Sequence, residues 1–188
     1  MAFNGMNGNH VSSESRRDLF GGNMNMVMPA NVMDVSEMRE VPDNQEVFVN
    51  PESDQSFILE ILEYVEEPHE QALRTFFSDL AESNGVTNPN ESELLSIEDI
   101  PSQDVSISDC ECAFLIKGRQ FVSKFNEAHK NEVNIKLAVF RLNKYKTDVL
   151  LSFNDPVNSN PSEQAWSSQN FSKMVSTLQV INTEFFGC

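Results

Sequence analysis

Residues 135–153, IKLAVFRLNKYKTDVLLSF, decide the fold. The two apolar runs in this stretch, 135–142 and 149–153, are rich in the β-branched and aromatic residues that favour strands. Between them, NKYK at residues 143–146 supplies the short polar connection that is typical of a hairpin. We therefore predict two neighbouring strands at the centre of a sheet.

Two amphipathic helices are predicted on either side of this hairpin in the chain. The first is EQALRTFFSDLAESNG at residues 70–85, where Pro68 precedes the apolar pattern and Gly85 provides a stop signal. The second is QNFSKMVSTLQVI at residues 169–181.

Further strands are predicted from alternation with a period of two. They are expected at residues 112–116, at 46–50 and in LFGGNMNMVMP at 19–29, where a Gly-Gly turn leads into alternating methionines. The run SFILEILEYV at residues 56–65 fits both a helix and a strand, and its periodicity leaves both open.

These elements indicate an α/β or α+β domain, layered around a largely antiparallel sheet. Residues 18–188 are enough for one hydrophobic core without a metal or a disulfide. Residues 1–17 carry few apolar side chains, so we expect a disordered N-terminal tail. Residues 86–104, rich in Asn, Pro, Ser and acids, are expected to form a long mobile connection.

The charge of the chain is strongly negative and unevenly distributed. Its 29 acidic residues outnumber its 13 Lys and Arg, which gives a net charge of -16. Residues 34–111 alone hold 21 acids and two bases. Nucleic acids and acidic membrane surfaces should repel such a protein, so neither is an expected partner.

The sequence indicates neither a cofactor nor a metal site. It lacks the phosphate-binding GxxxxGK[ST] and GxGxxG loops, and His10, His69 and His129 are scattered. No nucleophile or metal constellation supports a hydrolase that uses two of the many carboxylates. The chain also lacks a secretory signal and any run of ~20 apolar residues, which together with its few cysteines favours a reduced, intracellular protein.

The motif VPDNQEVF at residues 41–48 places two carboxylates where a turn leads into a strand. Pro-Asp-Asn favours a turn, in which the side chain of Asp43 can itself take part. Glu46 opens the strand and therefore lies on a rigid element. Just upstream, Asp34 or Ser36 can cap a short helical turn.

This motif belongs to a longer resemblance. LFGG (19–22), MP (28–29), DVSEMREVPDNQEVFVNPESDQSFILEILE (34–63), RLNKYKTDVLLSFNDP (141–156) and the terminal FFG (185–187) occur in the order found in the Mog-type Ran guanine-nucleotide release factors. The chain resembles this family from residue 19 to residue 186. The block from residue 39 to residue 47 is its most specific part.

The resemblance implies a fold similar to the PsbP proteins, with an antiparallel sheet of about six strands and helices on both faces. It implies that residues 56–65 form a strand. It also implies a non-catalytic protein, expected to be monomeric and found in nucleus and cytoplasm. Such a protein binds the small GTPase Ran, promotes release of its nucleotide and supports nuclear protein import.

The resemblance further implies an acidic Ran-binding surface. The matching positions are Asp43 and Glu46, with a second rank formed by Asp34, Glu37, Glu40, Glu60 and Glu63. Whether Asp43 contacts the partner or only shapes its turn stays open. The alternative function is that of an acidic adaptor, which binds another basic protein or the cytoplasmic part of a membrane protein.

Overall fold

The computed structural model describes residues 14–123, 130–157 and 164–187, which form two antiparallel sheets and two helices. The helices are α1 (His69–Ser83) and α2 (Ser168–Thr177). The strands are β1 (Glu14–Leu19), β2 (Met24–Pro29), β3 (Met33–Asp34), β4 (Gln45–Val49), β5 (Ser56–Glu63), β6 (Ser92–Ile100), β7 (Cys112–Ser123), β8 (Lys130–Leu142), β9 (Thr147–Pro156) and β10 (Gln179–Val180).

The large sheet has the strand order β3-β4-β5-β9-β8-β7-β6, and all neighbours are antiparallel. Strands β8 and β9 lie next to each other inside it, which confirms the predicted central hairpin. A single turn of 3-10 helix (Asn143–Tyr145) and a left-handed residue, Lys146, connect the two strands.

The large sheet carries one helix on each face. Ile135, Leu137 and Val139 of β8 pack with the apolar side of α1. The alternate residues of the same strand, such as Ala138 and Phe140, pack with α2 and β2. The predicted α+β arrangement with helices on both faces is therefore confirmed, with seven strands in this sheet in place of about six.

The small sheet, in the order β1-β2-β10, lies on the same face as α2. The predicted Gly-Gly turn connects β1 to β2 through residues 20–22. The side chains of Met24, Met26 and Met28 are all buried, as their alternation predicted.

Residues 14–17 differ from the prediction of a disordered tail that ends at residue 17. They form the first part of β1 and pair with β2 along its outer edge. Hydrogen bonds between the backbones hold such a strand and need few apolar side chains, so the polar residues 14–17 did not indicate a strand. Residues 1–13 lie outside the described part of the chain.

The resemblance implied a strand within residues 56–65, and residues 56–63 form strand β5. The strand is paired on both sides, with β4 and with β9. Phe57 and Leu59 are fully buried on the α2 face. Because both faces of the strand carry apolar residues, its sequence also fits the spacing of a helix.

The prediction of a mobile connection at residues 86–104 was wrong. Residues 92–100 form β6, the edge strand beside β7. Its acidic side chains face bases on β7, with Lys117 Nζ 2.7 Å from Glu98 Oε1 and Arg119 Nη2 2.7 Å from Glu93 Oε2. An edge strand is exposed and often charged, so its composition resembles that of a loop.

The last helix is shorter than predicted. Helix α2 begins after a capping box formed by Ser167 and Asn170 and ends at Thr177. The backbone is extended at Leu178, and residues 179–180 pair with β2. None of the helices in the described ranges is both long and apolar enough to span a membrane.

Candidate partner-binding site

Three strands of the large sheet meet at one end: β4 begins there, β5 ends there and β9 begins there. We call this end, with the connection of residues 35–44 that leads into β4, the acidic end. It carries most of the acids that the sequence singled out.

Asp43 lies on the surface of the acidic end, in the turn that precedes β4. The backbone closes this turn, because the Gln45 N–H donates to the Pro42 carbonyl oxygen at 2.9 Å. The Asp43 carboxylate makes no hydrogen bond or ion pair with any residue that the structure describes. The side chain therefore projects into solvent, available to a partner.

Glu46 is in a different environment. It is half-buried on the α2 face, and its Oε1 accepts a hydrogen bond of 2.5 Å from the Phe20 backbone N–H. Burial and the nearby Asp34 carboxylate raise the pKa of Glu46, while the Phe20 N–H and Arg17 act in the opposite direction. The side chain thus connects the turn between β1 and β2 to the large sheet.

Asp34 ends β3 and caps the 3-10 turn Val35–Glu37, as predicted. Its Oδ1 accepts hydrogen bonds from the Ser36 N–H at 2.9 Å and from the Ser36 hydroxyl at 2.6 Å. Glu37 and Glu40 follow on the same connection, exposed and without an ion pair to a described residue. Asp34, Glu37, Glu40 and Asp43 therefore lie on one continuous segment.

The two acids of β5 are separated by the pleat of the strand. Glu60 lies on the α1 face, where its Oε1 accepts a hydrogen bond of 2.8 Å from Gln45 Nε2. Glu63, an odd number of positions further, lies exposed on the α2 face, as Glu46 does. The structure thus brings Glu63, and not Glu60, to the face that carries Glu46.

An aromatic cluster beside the acidic end was not predicted as part of the site. It consists of Phe20, Tyr145, Phe185 and Phe186, with ring centroids 5.5 Å apart for Phe20 and Phe185 and 5.7 Å apart for Tyr145 and Phe186. Its members come from three distant segments of the chain, so no pattern of apolar residues within one segment predicts the cluster. The only sign of it in the sequence is the pair of neighbouring phenylalanines, Phe185 and Phe186.

Among the described residues, no group of three or more His, Cys, Asp and Glu side chains is arranged to hold a metal ion. The one described histidine, His69, lies at the start of α1, where its Nδ1 is 2.9 Å from Arg141 Nη1. His10 and His129 lie outside the described residues.

Known proteins with similar sequences cover almost the whole chain. A Ran guanine nucleotide release factor of Danio rerio is 40% identical over 91% of this chain and 99% of its own length. The Ran guanine nucleotide release factor of Homo sapiens is 34% identical over 93% of this chain and 98% of its own length.

Solved structures agree with the fold. The crystal structure of the Saccharomyces cerevisiae Ran-binding protein Mog1p superposes with a TM-score of 0.70 and 25% identity, and covers 93% of this chain and 99% of its own. Cyanobacterial PsbP from Synechocystis, at 13% identity, shares the fold alone, with a TM-score of 0.57 over 94% of this chain and 98% of its own. The family model described as "Ran-interacting Mog1 protein" matches residues 17–156. The chain belongs to the Ran-interacting Mog1 protein family.

Proposed function

We propose that this protein binds the small GTPase Ran and promotes release of guanine nucleotide from it. The observation that carries the proposal is the similarity, over nine-tenths of the chain, to proteins named Ran guanine nucleotide release factor. A regulator of this kind acts by binding and needs no catalytic residue of its own. The name "nuclear import protein" of the Saccharomyces cerevisiae relative supports a role in nuclear protein import. For a protein with this role we propose a location in nucleus and cytoplasm.

Asp43 is the residue that we propose to contact Ran directly. A GTPase holds its nucleotide through a Lys, backbone N–H groups and Mg²⁺ around the phosphates, and a carboxylate can compete for each of these. The Asp43 side chain is exposed and has no hydrogen bond or ion pair with a described residue that it would have to give up. Glu37, Glu40 and Glu63 are further exposed acids of the acidic end, and they attract basic groups.

The release of nucleotide follows from a difference in affinity. A partner that binds the nucleotide-free state more tightly than the nucleotide-bound state shifts the population towards the free state. We therefore expect the complex to be most stable with Ran that has lost its nucleotide.

The test is the release of a fluorescent guanine nucleotide from Ran, with and without this protein. We expect the unsubstituted chain to speed the release of the nucleotide from Ran. For Asp43→Ala we expect an affinity for Ran that is lower by about tenfold or more, read from the protein concentration needed to speed release. Asp79→Ala, which removes an exposed acid from α1, is the matched control and should behave like the unsubstituted chain. Failure to bind Ran in the nucleotide-free, GDP and GTP forms would overturn the proposal and favour an adaptor for another basic protein.

A further inference from the structure

The turn that connects β1 to β2 is strained at an aromatic residue. Phe20 has a φ of +48°, a conformation that is an outlier for a bulky side chain. Strain of this kind persists only where the surroundings hold it, and it is concentrated at functional sites. Here the Glu46 carboxylate holds the Phe20 N–H, and Asn23 donates to the Phe20 carbonyl oxygen at 2.7 Å.

The Phe20 ring is half-buried: it packs against the core on the α2 side, beside the acidic end. The ring lies against Phe185, which is 36% exposed. Ile181 lies at the same turn, because its N–H donates to the Asn23 carbonyl oxygen at 2.8 Å, and its side chain is 58% exposed. Exposed apolar side chains thus lie at the turn that Glu46 holds.

We propose that the aromatic cluster and Ile181 form the apolar part of the surface that contacts Ran, and that Glu46 positions the Phe20 turn for this contact. The inference rests on the proposed function and adds to it. The centre of an interface is more apolar than its polar rim and is enriched in aromatic side chains. The patch shares the α2 face with the half-buried Glu46 and the exposed Glu63, so it complements a GTPase surface that presents an apolar area beside basic groups.

This role differs from a direct contact, because Glu46 already uses an oxygen in a bond within the chain. A carboxylate that contacts a basic partner needs its charge, whereas a positioning residue needs only an acceptor for the Phe20 N–H. Glutamine retains a side-chain oxygen acceptor in nearly the same place and lacks the charge. Alanine lacks both.

The first arm of the test compares Glu46→Gln with Glu46→Ala in equilibrium binding to nucleotide-free Ran. We expect the Gln variant to bind within about twofold of the unsubstituted chain and the Ala variant to lose about tenfold. Unfolding midpoints of both variants are measured alongside, so that lost binding is not mistaken for lost folding. Equal losses in two folded variants would overturn the positioning role.

The second arm tests the apolar surface with a matched pair. Ile181→Ser removes a side chain that is 58% exposed from the patch, and Leu95→Ser removes one that is 57% exposed from the opposite edge of the large sheet. We expect a loss of about tenfold in Ran affinity for Ile181→Ser and for Phe185→Ala, and a change of less than about twofold for Leu95→Ser.

The outcomes separate this inference from the proposed function. Unchanged affinity in Ile181→Ser and Phe185→Ala, with Asp43→Ala still defective, would overturn the apolar contact and leave the proposed function intact. If the unsubstituted chain does not bind Ran in any nucleotide state, the proposed function fails and this inference fails with it.

Discussion

The guanidinium of Arg141 is fully buried, and its donors are used within the protein. Its Nε lies 3.1 Å from Asp148 Oδ1, and its two Nη atoms contact the carbonyl oxygens of Val65 and Glu67. Because an arginine only donates, the His69 Nδ1 that lies 2.9 Å from it must act as an acceptor. The side chain thereby anchors the connection from β5 to α1.

The first prediction concerns this buried pair. Asp148→Ala would leave the Arg141 charge buried without its carboxylate, which costs about 3–5 kcal/mol in the free energy of unfolding. Denaturant titration measures the loss. The double variant Arg141→Met with Asp148→Leu should recover most of it, since well-packed apolar residues replace such pairs at little cost. A loss below about 1 kcal/mol for the single variant would contradict this account.

The two described cysteines carry a prediction about reactivity. Burial is the main cause that raises the pKa of both the Cys110 and the Cys112 thiols from 9.0 to about 11. At pH 8 such a thiol holds about one hundredth of the usual thiolate, and its greater intrinsic nucleophilicity recovers only about tenfold.

We therefore expect iodoacetamide to alkylate Cys110 and Cys112 at pH 8 roughly tenfold more slowly in the folded protein than in the same chain unfolded in urea. Mass spectrometry of the peptide that contains both residues measures the two rates. Equal alkylation rates in the folded and the unfolded chain would show that folding does not lower the reactivity of these thiols.

At the scale of elements, strand β7 can cross under α1 only because it has a glycine there. A Cβ added at Gly118 would lie 2.6 Å from the Glu93 carbonyl oxygen and would collide with the Phe77 ring. The carbonyl oxygen belongs to the backbone of β6 and cannot move without disturbing the pairing of the strands. This position therefore fixes how closely β6, β7 and α1 approach one another.

Gly118→Ala should destabilise the fold by about 1–3 kcal/mol, the usual cost of inserting a methyl group into a packed site. Adding Phe77→Leu should relieve only the collision with the ring and leave the one with Glu93. Ser123→Ala, at an exposed position of the same strand, is the control and should change the free energy of unfolding by less than about 0.5 kcal/mol. A neutral Gly118→Ala would show that β6 can shift.

The sequence predicts those elements in which the spacing of the apolar residues matches the buried face of the element itself. The β8–β9 hairpin and α1 have apolar residues at the spacing of their own structure, and the sequence predicts both. Strand β6 was missed because its exposed side chains are charged, and the bases that face them lie on β7, far along the chain. β10 was missed because two residues give no periodicity.

The candidate site could be predicted only in part, for a similar reason. The connection of residues 35–44 is continuous in sequence, so Asp43 and its neighbouring acids could be named together. Phe20 reaches Glu46 through a hydrogen bond between residues 26 positions apart, which no local pattern contains. The aromatic cluster likewise depends on how the chain ends pack together.

For the whole molecule, the pairing of charges is uneven. At the β6 edge, acids of β6 and the preceding turn are matched by Lys117, Arg119 and Lys130. At the acidic end, Glu37, Glu40, Asp43 and Glu63 have no ion pair with a described residue. The acidic end therefore holds a group of exposed carboxylates that no described base neutralises, which should steer a basic partner towards it.

The last prediction tests this steering by changing the position of the charge and not its amount. One variant combines Glu37→Gln, Glu40→Gln and Asp43→Asn; the control combines Asp79→Asn, Glu82→Gln and Asp104→Asn, three exposed acids outside the acidic end. Both variants have the same net charge. We expect the first to associate with Ran about tenfold more slowly at low salt and to lose most of the salt dependence of the association rate.

Stopped-flow association at several salt concentrations measures both effects. At physiological salt the control should keep nearly the association rate of the unsubstituted chain, since a Debye length of about 8–10 Å limits steering to charges close to the contact. Equal slowing in both variants would mean that only net charge matters. A rate independent of salt in the unsubstituted chain would mean that the apolar surface around Phe20, and not the acids, governs the encounter.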